Sequence, residues 1–202
     1  MGILSNEYPN LFDFILQQVT YLNFSRIEYM DSSTDLREPK GSVLLNPRFN
    51  KTENINEIIA WSSQGLYHEA KHWQFFDTYQ YEGIPGSEKS NKNIFSNIHP
   101  IIPCSWKAVP SERTLDDSLL AMQAFIPGMT LALKLLKNDS QYSGWLKERV
   151  ELEMRTINGA IATLIIGKDY LTDEGHIVFS ELLHDYHNYL IPSYSDIQSK
   201  VE

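Results

Sequence analysis

From Asn54 to about residue 80, apolar side chains recur at helical intervals: Ile55, Ile58, Ile59, Leu66, Phe75, Phe76 and Tyr79. That period predicts one long helix, with Asn54 or Asn56 placed to cap its start. Inside it lies His68-Glu69-Ala70-Lys71-His72. Two residues four apart on an α-helix share a face, about 40° apart around the axis and roughly 6 Å along it, so two imidazoles so placed can chelate one ion. Glu69 is turned only about 100° from His68 and can hydrogen-bond a ligand or a bound water. A solvated or core-packed helix that happens to contain two histidines is the plain competitor.

The remainder reads mainly as helix. A first helix is expected over roughly 7–22, a second long one over 114–137 kinked at Pro127-Gly128, a third over 142–166 ended by Gly167, and a last one from Thr172 or Asp173 to about Tyr189. The stretches "FSRIEYM" and "GSVLLNP", separated by the turn-prone "DSSTDLREPKG", predict a small antiparallel β-hairpin. Residues 81–113 concentrate Pro, Gly, Ser and Asn and predict a long irregular loop of the kind that carries function. With no internal repeat or linker, the expected fold is mainly α (α+β): a single helical domain over 1–202 with HExxH on a central helix.

Composition narrows the chemistry. Seventeen basic against twenty-six acidic residues give a formal charge of −9, which argues against nucleic acid as a partner. Cys104 is the one cysteine, so an intrachain disulfide and CxxC motifs are excluded and a reducing, cytoplasmic setting is expected. The first thirty residues carry neither a basic leader nor an apolar core of a signal and read as mature structure; Gly2 is not a myristoylation site, because Asn6 stands where that motif needs Ser or Thr. No run of eighteen apolar residues exists, so no membrane partner is expected.

The usual chemistry of HExxH is that of a zinc peptidase, with Glu69 as general base on a metal-bound water. Lys71 between the glutamate and the second histidine fits that class poorly, and "HEAKHWQFFDTYQ" has no HxxGxxH continuation. Glu151 and Glu153 remain candidate third ligands for such a hydrolase.

Taken in order, "HEAKHWQFFD", "PCSWKAVPSERTLDDSLLAMQAFIPGMTLALKLL" and "TINGAIATLIIGKDYLTDEGHIVFSELL" resemble the HEXXH-motif domain of bacterial peptide-modification clusters, most strongly over about 60–190. That family includes enzymes similar to Fe(II)- and 2-oxoglutarate-dependent peptide β-hydroxylases. The resemblance implies a dioxygenase in which His68 and His72 hold Fe(II), Glu69 orients a ligand or water, and the substrate is a side chain of a peptide or carrier-bound amino acid, with a separate recognition subunit as a further partner. Such an oxygenase needs one more ligand, with positions left open for the cosubstrate and oxygen. It also needs a cation for the distal carboxylate of 2-oxoglutarate. Arg113 is the first candidate for that cation and Lys107 the second. For the third ligand the candidates are Gln123, or Asp116 or Asp117 earlier on the same helix. A degenerate, non-catalytic peptide-binding member is the remaining alternative, beside the zinc hydrolase. His184 and His187 are expected on the solvated side of the last helix, and Cys104 as a small buried residue.

Overall fold

The computed structural model describes residues 9–24, 32–34, 40–47, 51–78, 101–104, 111–137 and 143–199. The chain is mainly α. Along it run α1 (Pro9–Gln18), β1 (Tyr21–Phe24), β2 (Ser32–Thr34), β3 (Ser42–Leu45), α2 (Ile55–Thr78), β4 (Ile101–Cys104), β5 (Ser111–Thr114), α3 (Leu115–Leu136), α4 (Gly144–Ile166), α5 (Asp173–Asp185) and α6 (Ile191–Gln198). A π-helical turn, Tyr186–Leu190, joins the last two.

Helix ends follow local chemistry. The Asn54 side chain accepts from the Asn56 amide at 3.0 Å, Ser143 from Leu146 at 3.1 Å and Thr172 from Gly175 at 3.2 Å, each satisfying a donor that the first turn leaves open. Pro9 opens α1, where its missing N–H costs nothing. Asp173 and Glu174 place negative charge in the first turn of α5. The N-terminal helix is shorter than the predicted 7–22, because Tyr21 and Leu22 belong to a strand instead.

The predicted hairpin is realised differently. Residues 41–47 do supply a strand, but β3 is central in a three-stranded sheet, parallel to β1 (Tyr21↔Ser42 to Phe24↔Leu45) and antiparallel to β2 (Ser32↔Leu45 to Thr34↔Val43). Its antiparallel partner thus lies in the stretch expected to turn, and residues 25–30 of "FSRIEYM" lie outside the described residues. Gly41 (φ +87°) makes the parallel pairing possible. Its carbonyl accepts from the Thr20 and Tyr21 amides, and a Cβ there would stand 2.7 Å from the Thr20 hydroxyl and 2.9 Å from the Gln18 carbonyl.

The loop expected over 81–113 also holds structure: β4 and β5 pair antiparallel, Ile101↔Thr114 to Cys104↔Ser111, and β5 runs straight into α3. The last helical segment outruns Tyr189. The π turn lets the Ile191 amide bond Tyr186, so the chain re-enters a helix with Pro192 in its first turn and continues to Gln198.

The core is built between α2, α3 and α4, where Trp61, Phe75, Leu119, Met122, Ile126, Met129, Leu133 and Ile157 are fully buried. α2 packs on α1, β2, β3 and α3, and α3 in turn packs on α4, α5, α6 and the π turn. No helix among the described residues is long and apolar enough to cross a membrane.

Candidate metal centre

The histidine pair sits midway along α2. His68 is buried at 9% exposure and His72 is half-buried. Their Nε2 atoms stand 3.0 Å apart, with ring centroids 4.6 Å apart and ring planes at 89°. A direct N–H···N hydrogen bond between the rings fits that distance. So does chelation, because two nitrogens each about 2.1 Å from one ion and about 90° apart around it lie roughly 3.0 Å from one another.

Aromatic rings wall the pair. Phe125, from α3, meets His68 edge-on with centroids 4.6 Å apart, and Phe76, one turn beyond His72, stacks on it at 15° and 6.2 Å. Burial pushes the His68 pKa well below the usual imidazole value, and His72 lowers it further. His68 is therefore neutral at neutral pH, the state in which imidazole ligates a metal. Its Nδ1 is buried without a hydrogen-bond partner among the described residues, where ligating histidines ordinarily meet an acceptor. Glu69 is buried at 2%.

The other candidates fall in different places. Gln123 lines a groove with Tyr67, Lys71 and Pro127, on the side of α2 next to the one that carries His68 and His72. Phe125, two residues on and about 200° around α3, is the residue that reaches His68. The structure thus groups Gln123 with Lys71 rather than with the histidines. Arg113 is on β5, two residues before α3 begins, and its side chain lies outside the described set, as do the side chains of Asp116 and Asp117 and all of Lys107. Glu151 is exposed; Glu153 is buried and forms an ion pair with Arg149, whose guanidinium stands 5.6 Å over the Trp61 ring, near the start of α2. Among the described residues, no cluster of three His, Cys, Asp or Glu side chains is placed to hold a metal ion. His184 and His187 are exposed on the solvated side, as expected.

Sequence reasoning did not find Phe125 as the wall of the site. Nor did it find the cavity beside Lys71, although Tyr67, Lys71 and Phe75 recur four apart and mark that stripe of α2. A scan of protein-family models finds no match to this chain, and a search of curated proteins finds none either.

Proposed function

We propose that the chain is a metal-dependent oxygenase that hydroxylates a side-chain carbon of a peptide or carrier-bound amino acid, using Fe(II) and 2-oxoglutarate, in a reducing cytoplasmic setting. The supporting observation is the 3.0 Å separation of His68 Nε2 and His72 Nε2 within an aromatic wall. That spacing lets both nitrogens reach one ion, and the choice of iron rests on the resemblance of the chain to the peptide β-hydroxylases. Bound iron with a 2-oxoacid supplies oxidative C–H chemistry. The residues of the chain supply the rest: His68 and His72 hold the ion, Phe125 and Phe76 keep water from the imidazoles, Glu69 orients a ligand, and Arg113, near the start of α3, pairs with the distal carboxylate of the cosubstrate. Lys107 is the alternative cation, and a separate recognition subunit can present the peptide.

The third ligand is decided by replacing Gln123, Asp116 and Asp117 with alanine one at a time and measuring Fe(II) affinity. Its place beside Lys71 makes Gln123 the weakest of the three. The test of the whole reading is an anaerobic titration of metal-free protein with Fe(II) and 2-oxoglutarate, followed by the visible charge-transfer band of the chelate. A saturable band, lost in His68→Ala and in Arg113→Ala, is the expected result. Tight zinc binding without a band moves the assignment to an HExxH hydrolase with Glu69 as base; binding of neither ion leaves a non-catalytic peptide-binding member.

A further inference from the structure

A second site lies beside the histidine stripe. A cavity of about 320 Å³ is walled by Tyr67, Lys71 and Phe75 of α2, Gln123 of α3 and Glu181 and Asp185 of α5. A neighbouring cavity of about 270 Å³ shares Tyr67 and Asp185 with it and adds Lys134 and Tyr189. The first of these is within the range that takes small molecules, about 300 Å³ upward. We propose that this groove binds a small apolar amino acid as its zwitterion, with the carboxylate on Lys71 and the ammonium against Asp185.

The charges select that class. Across the two cavities Lys71 and Lys134 face Glu181 and Asp185, two cations against two carboxylates. A dianion such as 2-oxoglutarate or phosphate would meet uncompensated carboxylates there, whereas a neutral ligand with separated charges finds a partner at each end. Lys71 is held in place. Its Nζ donates to Gln74 Oε1 at 3.0 Å and lies 4.9 Å over the Phe14 ring and 5.6 Å over that of Tyr67.

Acceptors for the ammonium stand nearby. Among the described residues, the Asp185 and Gln123 side chains make no hydrogen bond or ion pair, and both face the cavity. Pro127, on the same wall, has no N–H to give the Gln123 main-chain carbonyl, which leaves a helix acceptor without its usual donor. Phe75, Val178 and Leu182 supply apolar lining for the side chain. The π turn begins at the residue after Asp185 and carries Tyr189, a widening of the helix of the kind found at functional sites.

Calorimetric titration with L-leucine as the probe tests the site, run beside leucinamide, which lacks the carboxylate, and 4-methylpentanoate, which lacks the ammonium. Saturable binding of L-leucine, weakened about tenfold or more in each analogue and in Lys71→Met and Asp185→Asn, is the expected result. His68→Ala should bind L-leucine as the unaltered protein does, which separates this site from the metal centre. No saturable binding, or equal binding of all three compounds, overturns the proposal. Because the analogue series uses the unaltered protein, that outcome does not depend on either cavity variant folding.

Discussion

At the scale of single residues, His68 has a consequence that does not require metal. Its imidazole is neutral in the fold and its pKa lies well below the ordinary value, while the unfolded chain takes up the proton near pH 6.5. As pH falls below that point the unfolded state binds more protons than the folded one, so the stability present above about pH 6.5 is lost by up to about 1.4 kcal/mol per pH unit until the folded state is protonated too. Urea unfolding of metal-free protein between pH 7.5 and 5 should show this decline, and His68→Leu should flatten it. An equal slope in the variant would mean that other groups set the acid sensitivity. The juxtaposition of His68 and His72 was legible, since a spacing of four on a helix fixes it. The contact with Phe125 was not, because apolar spacing reveals the period of α3 but not its rotation about its own axis relative to α2. For the same reason Gln123 was a reasonable ligand candidate by sequence and yet stands on the Lys71 side.

Among elements, one join between distant parts of the chain is a carboxylate on a helix cap. Glu57, fully buried in the first turn of α2, accepts from both the Ser143 amide (2.6 Å) and the Ser143 hydroxyl (2.7 Å), while that same hydroxyl oxygen caps α4. Glu57→Ala should cost about 2–4 kcal/mol in denaturant unfolding, the loss of two charge-assisted bonds with a buried amide left unpaired. Two glycines at the ends of α4 make a contrasting pair. A Cβ on Gly167 would stand 2.4 Å from the fully buried Leu115 side chain, whereas one on Gly144 meets nothing within 4 Å. Gly167→Ala should destabilise by about 1–3 kcal/mol and Gly144→Ala should stabilise by up to about 1 kcal/mol, a difference in sign that thermal melts resolve. Helices and their caps were readable from sequence because Asn54, Gly167 and Thr172 act on their own neighbours. The strands were not: β3 pairs in parallel with β1 across some twenty residues, and nothing local in "YLNF" or in "SST" announces a partner so far away. The last helix runs on past the expected end near Tyr189, because the wider turn at Tyr186–Leu190 lets Pro192 sit in the first turn of the next helix.

For the molecule as a whole, α2 carries both the histidines and the Lys71 stripe, and on the proposed reading an ion that binds the folded chain alone raises its global stability. Fe(II) at a hundredfold excess over its dissociation constant should add about 2.7 kcal/mol, or about 5–11 °C in Tm for a chain of this size, under anaerobic conditions. His72→Ala should abolish the shift. A core truncation such as Leu119→Ala, at a fully buried position, should cost about 2–5 kcal/mol.

The two tryptophans near the start of α2 offer a different kind of handle. Trp61 and Trp145 meet edge to face, 5.8 Å apart at 76°, with the Arg149 guanidinium over the first of them. Indoles held so close and so nearly perpendicular couple their strong transitions, so the contact between the start of α4 and α2 carries its own chiroptical signature in the far ultraviolet. The difference between the spectra of the unaltered protein and Trp145→Phe isolates that pair, letting an optical signal follow one seam of the fold while ligands are added at another.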